Sequence, residues 1–277
     1  MDIKRRKFLK IAGLSTIAGL GASTAFKSLL QGSVTSPAYA SEKAASAGAK
    51  AAAGKRYGLV IDHRKFMADA SLAKKCTDAC HTIHNVPDFR NPKDEIKWIW
   101  ETNYENAFPT KSQNYPNEAL YGSKLLVLCN HCDNPPCVRA CPTKATYKNQ
   151  DGLVLMDFHR CIGCRFCMAA CPYGARSFNW RDPRGKAKDG RPFIARETYN
   201  KEFPTRMRGV VEKCNMCAER LAKGLLPACV EACGNTGAMI FGDLNDSHSE
   251  IRRVLNANYT IQRKPSLGTT PSIFYIV

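Results

Sequence analysis

Residues 161–172 read Cys161-Ile162-Gly163-Cys164-Arg165-Phe166-Cys167-Met168-Ala169-Ala170-Cys171-Pro172. Two residues separate the first three cysteines from one another, three precede the fourth, and a proline follows it. Three thiolates at that spacing wrap three corners of a 4Fe-4S cube, and the fourth belongs to a neighbouring cluster because the chain turns away after it. Upstream, Cys129, Cys132, Cys137, Cys141 and Pro142 repeat the plan with two extra residues, Asn134-Pro135-Pro136 bowing out the loop. The two groups therefore form a reciprocal pair. Downstream, Cys214, Cys217, Cys229 and Cys233 are a looser version, with a long loop between the second and third positions.

A further group is incomplete. Cys76 and Cys80 match the last two positions, and counting back by the same spacing lands on Ala70 and Ala73, neither of which binds iron. One cluster is expected to be missing, and Ala70→Cys with Ala73→Cys is expected to restore it if the backbone there still folds around a cube. Zinc also takes four thiolates, but zinc ribbons need no third cysteine two residues on and no Cys-Pro close. Tandem quartets likewise argue against a disulfide framework for the 14 cysteines. Cys76-x3-Cys80-His81 resembles a haem-attachment site only faintly, since that site has two residues between its cysteines. His81 and His84 read as surface residues or neighbours of ligands.

The chain has 277 residues, 44% hydrophobic and 23% charged, which suits one large or two small globular domains and excludes a disordered or fibrous protein. Its formal charge of +17 first suggests nucleic-acid binding. Part of that charge belongs to an address. Lys4-Arg5-Arg6-Lys7-Phe8-Leu9-Lys10 precedes a mildly apolar run, Ile11 to Phe26, and Ala38-Tyr39-Ala40 supplies a small-x-small cleavage site. Residues 1–40 resemble a twin-arginine export signal, with Lys4 where Ser or Thr is usual. Cleavage after Ala40 removes a net +5 and leaves +12. That route carries folded proteins, which suits a chain loaded with cofactor before export and disfavours nucleic acid as a partner. Residues 41–54 read as a flexible spacer, and no later stretch is apolar for long enough to span a membrane.

The segments between the cysteines fit an α+β fold, tandem bacterial-ferredoxin-like with loop-rich insertions, over residues 55–277. An inner cluster pair falls in 122–180 and an outer half in 55–90 plus 205–245. Tyr57–Asp62 predicts a strand, and Ala145 to Met156 a hairpin turning at Asn149-Gln150-Asp151-Gly152. Ser247 and Glu250 predict a capping box for a helix with Ile251, Val254 and Leu255 on one face.

The order of the cysteine groups, Cys171-Pro172-Tyr173-Gly174-Ala175-Arg176 after the third and Phe241-Gly242-Asp243-Leu244 after the fourth resemble the four-cluster ferredoxin subunits of membrane and molybdenum oxidoreductases, the DmsB/NrfC/HmcB-like family. Within it, Cys80-His81, Asn85-Val86-Pro87, residues 95–100 and Ser177 to Arg184 resemble most the DsrO-type subunits, periplasmic iron-sulfur partners in Dsr membrane complexes. The resemblance implies that the first group pairs with the fourth and the second with the third. It then implies three 4Fe-4S clusters: Cys129, Cys132 and Cys137 with Cys171; Cys161, Cys164 and Cys167 with Cys141; Cys214, Cys217 and Cys229 with Cys80. Cys76 and Cys233 are left as non-ligating remnants of the site with Ala70 and Ala73, close enough to be disulfide candidates. It also implies a periplasmic electron-transfer subunit held to the membrane by an integral quinone-reacting subunit and working with a cytochrome or other redox subunits in sulfur metabolism. A place in a molybdopterin oxidoreductase or a nitrite-reductase system is the alternative; a zinc- or disulfide-stabilised secreted binding protein is another of a different class.

No nucleophile-base pair, phosphate loop or nucleotide fingerprint is present, so no catalytic residue is assigned. Residues 181–210 hold nine basic side chains (Arg181, Arg184, Lys186, Lys188, Arg191, Arg196, Lys201, Arg206 and Arg208) against four acids. They read either as a solvated loop or as a docking face for an acidic partner. Trp98, Trp100 and Tyr104 read either as partner anchors or as core.

Overall fold

The structure, a computed structural model, describes residues 54–111, 115, 117–195, 197–203 and 205–277. The expected export signal and, apart from Gly54, the spacer lie outside the described residues.

The apolar run Tyr57–Asp62 forms strand β1, as its sequence predicts. It is the middle strand of a three-stranded sheet, antiparallel to β8 (Met239–Asp243) and parallel to β9 (Ile273–Ile276). A middle strand covered on both faces must be apolar at consecutive positions. Leu59 and Ile61 accordingly enter the main core, while Val60 faces Ile251 and Ile276 beneath the helix Glu250–Ala257. Gly242 of β8 lets that helix lie close, since a Cβ there would sit 2.9 Å from Ile251 Cγ2. The helix begins two residues later than the capping box predicts. Ser249 is the N-cap, its hydroxyl accepting the Arg252 N–H and donating to the carbonyls of Asp243 and Asp246. Glu250 thus becomes the first helical residue and cannot reach back as a box partner.

Three small antiparallel ribbons lead the chain to its cysteines. β2 (Ile99–Asn103) pairs with β3 (Lys124–Leu128), whose buried Leu125 to Leu128 run straight into Cys129. β4 (Thr146–Lys148) and β5 (Val154–Met156) form the predicted hairpin. Its turn closes because Asn149 Oδ1 accepts the N–H groups of Asp151 and Leu153, and Gly152 takes φ +77°. β6 (Ser177–Phe178) pairs with β7 (Val211–Glu212), on either side of the basic stretch. Short helices and small sheets around one core make the fold α+β, as expected.

The helix Ser71–Ile83 buries Leu72, Ala73, Cys76 and Cys80 along one stripe and packs against the helix Ala228–Ala232. Pro136–Arg139 packs likewise against Phe166–Ala169. The first cysteine segment thus lies beside the fourth and the second beside the third.

Trp98 belongs to the core. It is fully buried, stacks on His84 at 4.4 Å between ring centroids and donates its indole N–H to Glu212 at 2.9 Å. Trp100 and Tyr104 pack against the same core from partly buried positions. Glu212, itself fully buried, also takes an ion pair of 2.6 Å from buried Arg206. Removing one partner of such a pair leaves the other charge uncompensated. Glu212→Ala is expected to cost about 3–5 kcal/mol, read as a lower chemical-denaturation midpoint, and Glu212→Leu with Arg206→Met to recover most of it. Arg181, Arg184 and Arg191 are bound to Asp94, Asp182 and Asp189. With Arg206 buried, four of the nine cations are committed to carboxylates of this chain, so the basic stretch offers a partner less charge than its sequence suggests.

Candidate iron-sulfur sites

Cys137, Cys167, Cys229 and Cys80 each sit on a helical turn, and in the first three the next cysteine of the group follows four residues on. One turn of helix separates such a pair, so they can serve different neighbours. The preceding loops bend through left-handed residues: His131 at φ +40°, Gly163 at +71°, Arg165 at +63°, Met216 at +58° and Cys217 at +52°. At Gly163 a side chain has no room, because its Cβ would run into the Gly209 carbonyl. These bends aim backbone N–H groups at sulfur. Met216 N–H donates to Cys214 Sγ at 3.4 Å, Ala228 N–H to Cys217 Sγ at 3.4 Å and Thr146 N–H to Cys141 Sγ at 3.5 Å.

The twelve expected ligands gather as three quartets. Cys129, Cys132, Cys137 and Cys171 line one cavity, here site A. Cys141, Cys161, Cys164 and Cys167 line another, site B. Cys80 lies among Cys214, Cys217 and Cys229, site C, where all four are buried. Cys214 also faces Cys129, and Arg176 faces both Cys137 and Cys167, which gives the order C, A, B. Site B opens to solvent, with Cys141, Cys161 and Cys164 half-buried and Ile162 and Phe166 exposed beside them.

Burial pushes the Cys80 and Cys229 thiols well up, and those of Cys214, Cys217 and Cys132 to about 12, with the crowding of other cysteines adding to it. A metal must displace those protons to bind. Two buried cations without a carboxylate stand beside quartet sulfurs, Arg176 by those of Cys137 and Cys167 and Lys213 by that of Cys214. Both are nearly inaccessible and, among the described residues, have no ion-pair partner. Arg176 Nη2 has no hydrogen-bond acceptor among the described residues. Lys213 donates to the carbonyls of Val154 and Cys214, the latter at 2.7 Å. Positive charge so placed calls for anions in the quartets, and a 4Fe-4S cluster with four thiolates supplies roughly −2. The residues fit the group.

His84 is not a surface residue. Its Nδ1 lies 2.9 Å from the Cys80 carbonyl and 3.6 Å from Cys80 Sγ, and its Nε2 lies 2.7 Å from Glu219. It braces site C from behind, while His81 is half-buried with its Nε2 unpartnered. His84, Cys217 and Glu219 offer ligand atoms within 4.8 Å of one another, but both His84 nitrogens are already engaged by Cys80 and Glu219. His84 is thus the neighbour of a ligand that its sequence position allowed, and Arg176 follows a Cys-Pro by four residues, but nothing in the sequence marks Lys213.

The remnant pair meets. Cys76 Sγ and Cys233 Sγ stand 3.0 Å apart, and Cys76 donates to the Cys229 carbonyl at 3.3 Å. Around them, however, the backbone departs from a cluster loop. Ala70 is the N-cap of the helix Ser71–Ile83, so positions 70, 73 and 76 are helical rather than looped, and Ala73 is packed in the core with Phe66 and Leu72. The expectation that two cysteines restore a cluster is therefore revised: Ala70→Cys with Ala73→Cys adds no iron, as metal analysis would show. Peptide mapping without reductant is expected to find Cys76 joined to Cys233, and two free thiols would reject the bond.

Residues 124–196 and again 182–244 match the 4Fe-4S dicluster domain. The chain is 40% identical to the Hdr-like menaquinol oxidoreductase iron-sulfur subunit 1 of Archaeoglobus fulgidus, over 75% of this chain and 74% of that one. It is 35% identical to the arsenate respiratory reductase iron-sulfur subunit ArrB of a Shewanella species, over 80% and 96%. The B component of the polysulfide reductase of Wolinella succinogenes is 34% identical over 80% and 94%. With its dicluster repeats, its quartets and these relatives, the chain belongs to the ferredoxin-type iron-sulfur subunits of oxidoreductase complexes, the DmsB/NrfC-like family.

Proposed function

We propose that this chain is a periplasmic electron-transfer subunit with three 4Fe-4S clusters, relaying electrons between a quinone-reacting membrane subunit and redox partners in a Dsr-type sulfur-metabolism complex. The observation that carries the reading is three complete thiol quartets in a row, beside a fourth place reduced to two cysteines. A 4Fe-4S cluster takes up and gives up single electrons with little rearrangement. The protein's part is to hold the thiolates, direct N–H groups at their sulfurs and keep water from sites A and C. Site B, open and rimmed by Ile162 and Phe166, suits contact with a redox partner at one end of the row.

Relatives named for menaquinol oxidation and polysulfide reduction support the quinone and sulfur parts of the reading. Among the described residues no helix is long and apolar enough to cross a membrane, so attachment there would rest on a partner. The paired arginines Arg5 and Arg6 and the site ending at Ala40 support export. Relatives named as subunits of arsenate and selenate reductases favour the second reading, a subunit serving a separate reductase. Isolating the tagged chain with its native complex from membranes tests the choice. Co-purification of an integral quinone-reacting subunit and Dsr partners is expected; a molybdenum subunit without Dsr partners would favour the second reading.

A further inference from the structure

Arg176 follows Cys171-Pro172-Tyr173-Gly174-Ala175 and turns inward, only 5% exposed. Nη1 donates to Thr146 Oγ1 at 3.1 Å, a residue fixed in β4, and lies 3.7 Å from Met156 Sδ in β5. Arg176 lines site A together with Cys137, and Met156, against which its guanidinium lies, lines site B together with Cys167, so its charge acts on both thiols. No carboxylate pairs with it among the described residues, and Nη2 is buried without an acceptor.

Arginine does not give up its proton inside a protein. A permanent charge in a low-dielectric interior interacts strongly with whatever anions stand near it. The anions in reach are the sulfurs of two different quartets. We propose that Arg176 is a positioning residue for electron transfer, a fixed positive charge shared by sites A and B that raises the reduction potentials of both. The sign follows from charge alone: reduction makes each site more negative, and a neighbouring cation stabilises the more negative form. Site C lies on the far side of site A and has its own buried cation in Lys213, hydrogen-bonded to the Cys214 carbonyl. Arg176 should therefore act on two sites and spare the third. The hydrogen bond to Thr146 ties the guanidinium to the hairpin and holds it between the two quartets, so neither site can be tuned through this charge without the other. The inference rests on the iron-sulfur reading above.

The test is an EPR-monitored redox titration of the holoprotein and its Arg176→Gln variant, after iron and sulfide have been measured in each. Gln keeps hydrogen-bond donors and removes the charge. Two midpoints are expected to move negative, each by at least a tenfold loss in the reduction equilibrium, about 59 mV for one electron, while the third stays. Arg176→Lys, which restores the charge without the planar fork, is expected to recover most of the shift. Full iron with all three midpoints unmoved, or all three moved alike, would overturn the proposal. If the Gln protein fails to load, the Lys protein decides: near-parental midpoints support the shared charge, and midpoints lowered at both sites count against it. Protein without iron in the parent would instead defeat the iron-sulfur reading itself.

Discussion

Cys171→Ser is expected to empty site A, lower the iron content by about a third, and reduce end-to-end electron delivery to background. Cys171 stands one helical turn after Cys167, yet its sulfur lines site A while that of Cys167 lines site B. Serine offers an oxygen that holds its proton far more tightly than a thiol and suits iron-sulfur chemistry poorly. Site A is also the middle of the row, since Cys129 faces Cys214 of site C and Arg176 joins Cys137 to Cys167 of site B. Loss of an end site would shorten the row; loss of the middle one divides it. The result is read by metal analysis and by stopped-flow reduction with electrons fed at one end, and unchanged delivery would show that site A is not on the route.

Removing the iron is expected to unfold the core. The sites carry the anions that balance Arg176 and Lys213, both nearly inaccessible to water. Once iron leaves, the buried thiols take up protons, because burial holds Cys80 and Cys229 well above the usual thiol range and Cys214, Cys217 and Cys132 at about 12. Neutral thiols cannot balance two buried cations, each costing several kcal/mol when unpaired, against a total stability of about 5–15 kcal/mol for a domain. Anaerobic chelation should abolish the near-ultraviolet circular dichroism of the aromatic core around Trp98. The sign of the pH effect follows from the raised thiol values: protons compete with iron, so the protein loses iron more readily as pH falls, and iron uptake releases protons. An apoprotein with native circular dichroism would contradict this balance of charges.

Much of the site was legible because iron-sulfur loops are coded locally. Cysteine spacing, the helical turn between third and fourth positions and the prolines after Cys141 and Cys171 need only a few residues in a row. The strand Tyr57–Asp62 and the hairpin around Asn149 to Gly152 were legible for the same reason. What escaped depends on distant partners. Arg206 reads as one more cation in a basic stretch until Glu212 and Trp98 are seen to enclose it. Nothing in the sequence singles out Lys213, whose ammonium sits on two backbone carbonyls. The first cysteine segment reads as a damaged loop by counting, but it is a helix. With Ala at positions 70 and 73 nothing requires the backbone to wrap a cube, and the amphipathic stripe of Leu72, Ala73, Cys76 and Cys80 determines its conformation instead.

The most direct measurement is the iron, zinc and acid-labile sulfide content of the anaerobically purified chain, with its native mass. Three occupied sites predict about twelve iron and twelve sulfide per chain and no zinc. Zinc in place of iron, or a complement of about sixteen iron that would require a fourth cube at Cys76 and Cys233, would contradict the account.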